Sequence, residues 1–442
     1  MAMTVSSTSA VRRTVATSET ASDTARAGRA ESSPSSEFSS RAVAEAYVGK
    51  VCFKQGPPAL IGAELEWLTA HGGASASAPR PDLRVFADAL GPYAPRSISP
   101  DSPADPLPGG SRVTLEPGGQ IELSSPPFGS AAELCESLRI DAARLRELLE
   151  SRDIRTFSAS ADAVRPPRRL LQLPRYRSME QTFSALGPFG ALMMCNTAAA
   201  QVSVDAGANP AEIRARWEAL YAIGPALLAA FACSPALHSA PPGEWASQRM
   251  RAWLRLDHLR TRPPVHDWSD PISGYARWVL DTPLLCVRSD GDDWTAPPGA
   301  TFADWLCGAL DDEIDRRPDH TDLDYHLTTV FPPVRASGHL EVRYLDAQPG
   351  DTWSVPVHAI DALMSAPAVV AEATALSAAV RDHWSEAARY GLADPDIRAA
   401  AVSLLELAAA HATTDAAARE VADAAERCRG GRTPNEDFGV QS

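Results

Sequence analysis

Lysine is almost missing from this chain: Lys50 and Lys54 are the only two in 442 residues, and every other cation is arginine. No G-x-x-x-x-G-K-[ST] loop exists, which excludes a P-loop nucleotide site, so bound phosphate must be met by arginine or backbone N–H groups. Positive charge is also scarce overall. The net charge of −15 argues against nucleic acid or an anionic membrane as partner. No apolar run approaches the length of a membrane span. Seven cysteines, an odd count without a C-x-x-C pair, suit free thiols in a reducing cytoplasm better than a disulfide framework or zinc site.

The N-terminal stretch lacks the continuous apolar core of a secretory signal. Its Arg and Ser content resembles a transit peptide, but Glu19, Asp23, Glu31 and Glu37 count against that, and residues 1–38 read as a disordered tail. A helix is expected from about Ser40 to Val51, then strand character in PALIGAELEWLTA. Small-residue and Pro/Gly-rich loops follow at 72–80 and 91–111, and leucines at helical spacing mark a helix over Ser130–Arg152. Residues 153–205 mix strand-like pieces with Pro-rich turns, and helical patterns return at 210–232 and 244–260. The stretch 263–301 reads as an aromatic, Pro-punctuated loop region facing substrate. YHLTTVF and HLEVRYLD read as strands before an Ala-rich helical tail from Val357 to Arg427, broken near Gly391, Pro395 and Thr413. Such strand-rich material with inserted and appended helices is α+β.

The strands carry carboxylates in a regular way. Side chains alternate across a strand, so in GAELEW Glu64 and Glu66 share a face opposite Ala63, Leu65 and Trp67. In VTLEPGGQIELSS, Thr114, Glu116, Gln120, Glu122 and Ser124 share one parity. That holds whether Gly118-Gly119 bends one strand or Pro117-Gly118-Gly119 forms a three-residue hairpin loop. QVSVD aligns Gln201, Ser203 and Asp205, and LEVRYLD aligns Glu341 with Arg343. Each pair alone reads as the wet face of an antiparallel sheet. Together they read equally as a divalent-metal nucleotide site, because side-by-side carboxylates repel unless a cation lies between them. The segment SQRMRAWLRLDHLRT places Arg249, Trp253, Asp257 and Arg260 within one arc if it is helical throughout. That arc suits an ion-paired surface helix or one aiming its arginines at an anion.

GAELEW, LEPGGQIELSS, NTAAAQVSVD, SQRMRAWLRLDHLRT, YHLTTVFPPVR and GHLEVRYLDAQP, in this order, resemble the plant-type glutamate–cysteine ligase family. The likeness is greatest to its actinobacterial members, which feed ergothioneine synthesis. It covers roughly Ala59–Pro349, and the C-terminal helices fit the family's length.

The resemblance implies a glutamine synthetase-like catalytic domain over 39–430, between the tail and a flexible 431–442 C-terminus. It has a curved, mostly antiparallel sheet, flanking helices and a helical C-terminal region. The implied reaction is ATP-dependent joining of the γ-carboxylate of L-glutamate to L-cysteine through a γ-glutamyl phosphate. Mg²⁺ or Mn²⁺ would be held by Glu64, Glu66, Glu116, Glu122 and Glu341. Arg343 would stabilise the transferring phosphoryl group, with Glu341 beside it. Gln201, Arg249, Arg260, His326 and Arg335 are the candidate ATP or substrate contacts. His326 reads as well as a histidine satisfied by a neighbour. The acceptor pocket is expected from 263–301 and from residues near Phe183–Phe189.

A ligase of this fold joining glutamate to another amine is the alternative. An inactive ligand-binding relative and a carboxylate kinase that stops at the acyl phosphate are more distant ones. The implied protein is a cytoplasmic monomer or homodimer acting on small molecules. Two features depart from the resemblance. Asn196 stands where many relatives should carry a basic or larger polar residue, and the cysteines do not reproduce the regulatory disulfides of the plant enzymes.

Overall fold

The computed structural model describes residues 38–73, 76–262 and 269–437. Most of the expected N-terminal tail and the end of the expected flexible C-terminus lie outside these residues. Within the latter, Pro434–Asp437 forms a helical turn, and Asn435 Nδ2 donates to Cys233 O at 2.9 Å.

Among the described residues, seven strands build the sheet: β1 (Ile61–His71), β2 (Arg112–Leu115), β3 (Ile121–Ser124), β4 (Ile154–Phe157), β5 (Ala199–Val204), β6 (Val334–Ala336) and β7 (Leu340–Asp346). Their order is β2-β3-β1-β5-β7-β6, with β4 added to the far end of β1, and all of these pairings are antiparallel. The alternation of GAELEW is visible in β1: Ala63, Leu65 and Trp67 are buried, while Glu64 and Glu66 are half-buried on the other face. The apolar parity packs onto helices, and the acidic parity is left for chemistry.

Among the described residues, seventeen helices accompany the sheet. In chain order the first eight are α1 (Arg41–Cys52), α2 (Leu83–Leu90), α3 (Ala131–Glu150), α4 (Pro174–Leu186), α5 (Phe189–Asn196), α6 (Pro210–Ala222), α7 (Gly224–Phe231) and α8 (Gln248–Leu256). The next three are α9 (Pro271–Asp281), α10 (Phe302–Cys307) and α11 (His320–Leu327). The C-terminal set is α12 (Ser354–Leu363), α13 (Pro367–Leu376), α14 (Trp384–Tyr390), α15 (Pro395–Ala410), α16 (Asp415–Arg429) and α17 (Pro434–Asp437). Helix α3 lies against β1 and β3, α12 against β5 and α7 against β7, while α15 bridges α7, α12 and α16. One continuous apolar core joins these layers. No single described helix is long and apolar enough to cross a membrane; α12 and α13 pass only as a pair bent by 110°, and α12 is almost wholly buried.

Three local expectations are corrected. YHLTTVF is not a strand: Asp319 and Asp322 close a capping box that starts α11, which carries the chain through Leu327. A strong local cap outweighs the β preference of the Thr-Thr pair that follows. The stretch 153–205 holds two helices, α4 begun by Pro174 in its first turn and α5 buried through Leu192, Met193 and Met194. In the expected loop region, Asp270 caps α9 ahead of Pro271.

The Pro-Gly-Gly stretch is a three-residue hairpin loop. Thr114 pairs with Glu122, and Glu116 N–H donates to Gln120 O at 2.8 Å. Gly119 takes φ +88°, and a Cβ on Gly118 would lie 2.3 Å from Cys195 O, so only glycine fits where the loop meets the end of α5. The loop is buried, not an exposed tip.

Candidate active site

Strand register brings the acidic parity together. Glu66 lies opposite Glu122 across β1–β3, and Glu64 lies opposite Ser124 on one side and Gln201 on the other. Further along, Ser203 faces Glu341, and Glu341 faces Arg335. Glu116 enters from the hairpin, near enough for its charge to act on both Glu66 and Glu122.

Hydrogen bonds hold these carboxylates in place. Gln201 Nε2 donates to Glu64 at 3.1 Å and to Glu66 at 3.2 Å, and Ala199 N–H donates to Glu66 at 2.9 Å. Thr114 and Ser124 hydroxyls donate to Glu122, and Ser124 also reaches Glu64 at 3.4 Å. At the other end Arg335 grips Glu341 with Nε at 2.8 Å and Nη2 at 3.1 Å, and Arg343 Nη1 donates to the same carboxylate.

The electrostatics divide the face in two. Burial, then the Glu341 charge, push the Glu64 carboxyl up to about 7; burial, then Glu116, do the same for Glu66, also to about 7. Burial, with Glu64, Glu116 and Glu66 adding to it, carries Glu122 well above the carboxylate range. Burial pushes Glu341 up as well, but Arg335 and Arg343 outweigh it and hold that carboxyl at about 2. One end is a set of acids that cannot all ionise side by side. The other is an ionised acid between two guanidiniums.

Among the described residues, no three acidic, histidine or cysteine side chains already close into a metal cage. The donor set nonetheless suits a hard cation. The like charges raise one another's pKa values, and Gln201 Oε1 is buried beside two of them without a hydrogen-bond partner. Oxygen-only donors of this kind fit Mg²⁺ or Mn²⁺ and discriminate little between them.

Helix α8 supplies the wall next to Arg343. Arg249, fully buried, donates through Nη2 to Arg343 O at 2.8 Å, and its Nη1 lies 3.9 Å from Asp346. The Trp253 ring sits near both guanidiniums, 5.8 Å from that of Arg249 and 5.4 Å from that of Arg343. Trp253 Nε1 and Arg343 Nε are both buried without a partner, so two free donors remain beside paired cations. That arrangement favours an anion.

Not every expected site residue arrives. Helix α8 ends at Leu256, so the expected arc is cut in two. Arg260 falls in the turn beyond, paired with Asp257 at 2.6 Å and donating to Thr329 O and Pro283 O, away from the carboxylate face. His326 is likewise a core residue. Its Nε2 pairs with Val279 O at 2.9 Å, its ring stacks on Phe302, and burial lowers its pKa to about 4. Asn196 is occupied between Arg80 and Arg165 O, so it serves the fold.

Sequence reasoning missed Asp346. It accepts from Cys233 N–H and from the Ser234 and Ser247 hydroxyls, and so fixes the start of α8 that carries Arg249. The available signal was an acid on the apolar parity of β7.

Comparison with known proteins gives the family and the fold. The model of glutamate-cysteine ligase family 2 matches residues 60–438. The chain is 37% identical to glutamate–cysteine ligase EgtA of Mycolicibacterium smegmatis, over 86% of each chain. It is 35% identical to EgtA of Mycobacterium tuberculosis strain H37Rv, over 91% of this chain and 90% of that one. A solved glutamate–cysteine ligase from Francisella tularensis, in complex with AMP, shares the fold with TM-score 0.50 at 12% identity, covering 87% of this chain and 84% of that one. With a family model spanning nearly all of the described sheet and helices, the chain belongs to glutamate–cysteine ligase family 2.

Proposed function

We propose that this carboxylate face joins L-glutamate to L-cysteine at the expense of ATP, giving γ-L-glutamyl-L-cysteine, ADP and phosphate. Membership of the family and the likeness to EgtA support the reaction class. The observation that carries it to these residues is the pairing of an acid-rich end with the Glu341–Arg335–Arg343 end on one sheet face.

The chemistry follows from that division. An oxygen of the glutamate γ-carboxylate attacks the γ-phosphorus of ATP, the bond to the ADP oxygen breaks, and a γ-glutamyl phosphate results. The cysteine amine then attacks the acyl carbon, phosphate leaves and a proton is released. Triphosphate and carboxylate are both anions. A divalent cation held by Glu64, Glu66, Glu116 and Glu122, with Glu341 at its edge, would supply the charge neutralisation that lets them approach. Gln201 holds Glu64 and Glu66 in register. Arg343 keeps Nε free for the phosphoryl oxygens while Nη1 stays on Glu341, and Arg335 orients that carboxylate. Arg249 and Trp253 complete a cationic wall suited to the glutamate α-carboxylate.

The decisive assay supplies purified protein with ATP, Mg²⁺ and glutamate, and compares phosphate release with cysteine against other amino acids. Equal rates with unrelated amines would overturn the cysteine assignment, and a stable acyl phosphate without condensation would mark a kinase instead. The reading also places the enzyme in the cytoplasm as a monomer or homodimer, supplying ergothioneine synthesis. Loss of cellular ergothioneine on deletion tests that placement.

A further inference from the structure

A second cationic cluster lies outside the carboxylate face. Arg175, in the first turn of α4, sits 5.2 Å from the Tyr325 ring centre, and Arg288 sits 5.1 Å from the same ring. Trp294 meets that ring edge-on at 5.7 Å. Arg175 donates to Thr328 Oγ1 and Thr328 O, both at 2.8 Å, which fixes its plane. Arg288 donates through Nη2 to Thr321 Oγ1 at 2.9 Å, while its Nε is buried with no partner.

Neither guanidinium has a carboxylate partner among the described residues. Neighbouring Arg316, by contrast, is paired with Asp322 and Arg317 with Asp311. Two cations on one half-buried ring, with a buried donor left open, are costly unless an anion completes them. The cluster is tied to the reaction face by the chain itself. Beyond Thr328, Phe331 packs edge-on against Trp253, the ring beside Arg343 and Arg249.

We propose that Arg175, Arg288 and Tyr325 form the subsite for the α-carboxylate of the acceptor amino acid. The planar fork of arginine matches a carboxylate, and the Tyr325 and Trp294 rings stand beside it as an aromatic wall. The inference rests on the ligase reading and adds to it the means by which an amino acid is chosen over a simple amine.

The test compares cysteine with cysteamine, which carries the same amine and thiol but no carboxylate. The wild-type enzyme prefers cysteine. Arg288→Gln raises the KM for cysteine by roughly tenfold or more, as expected for a lost charge-assisted hydrogen bond, and lowers the cysteine-over-cysteamine ratio of kcat/KM by a similar factor. The KM values for glutamate and ATP stay within about twofold, since uniform binding of those substrates is untouched. Arg288→Lys, which keeps the charge and the bulk, recovers part of the preference and serves if the glutamine variant folds poorly. An unchanged cysteine-to-cysteamine ratio in both variants overturns the proposal. So does a rise confined to the KM for ATP, which would make this a phosphate site, or to that for glutamate, which would make it the donor's. A wild-type protein that makes no γ-glutamyl product from either amine overturns the ligase reading itself.

Discussion

Arg335 and Glu341 face each other across the β6–β7 hairpin, both buried, joined by two hydrogen bonds of 2.8 and 3.1 Å. Arg343 shares the same carboxylate. Two guanidiniums therefore depend on one acid. Glu341→Gln leaves both without a counter-charge, and breaking such a buried pair costs about 3 kcal/mol or more of folding stability. Urea denaturation at pH 7 measures it. Ligase activity falls by about 100-fold or more, because Arg343 is no longer held.

The two arginines are separable. Arg343→Lys retains a charge but loses the second N–H, so kcat falls by roughly 100-fold while the melting temperature shifts little. Arg335→Lys acts through Glu341, so it lowers stability and activity together. Steady-state kinetics beside thermal denaturation distinguish the two. Equal kcat losses with unchanged stability in both variants would remove the distinction between the phosphoryl contact and the positioning residue.

How far the sequence carries this site depends on the kind of element. Strand parity, fixed by covalent geometry, put Glu64 with Glu66, Glu116 with Glu122 under either reading of the Pro-Gly-Gly loop, and Glu341 with Arg343, but left open whether these strands turn their acids to one face. The family resemblance gave the fold, and the sheet with its helical C-terminal region agrees with it. What failed were extrapolations of helix geometry and of residue preference. Arg260 was aligned with Arg249 by assuming a helix that stops at Leu256, and His326 was set on a strand that the Asp319 cap makes a helix. Of the Arg175–Tyr325–Arg288 cluster, only Arg288 lies in the 263–301 region that sequence reasoning expected to build the acceptor pocket. The cluster's members come from three separate segments, and no local pattern links them.

The acid-rich end predicts a stabilising response to divalent cations. At about ten times its dissociation constant, Mg²⁺ or Mn²⁺ adds roughly 1.4 kcal/mol to the ligand-free protein. Differential scanning fluorimetry with and without EDTA reads this as a rise of a few degrees. Glu64→Gln and Glu66→Gln each weaken the response, because each removes one hard oxygen ligand and its charge. A full response in the double variant would show that the cation binds elsewhere.

His326 gives a pH-dependent test of its role. Burial lowers its pKa to about 4, against about 6.5 in an unfolded chain. Below about 6.5 the unfolded state takes up a proton that the native state refuses, so the unfolded form gains as the solution is acidified. The stability that neutral His326 contributes is therefore present above about 6.5 and is lost as pH falls through about 4. Its full extent is on the order of 3 kcal/mol. Denaturant midpoints at pH 7 and pH 4.5 should differ less in His326→Gln than in the wild type, and the KM for ATP of that variant at pH 7.5 should not change. A large rise in that KM would restore His326 to the phosphate site, from which its bond to Val279 O and its stacking on Phe302 now separate it.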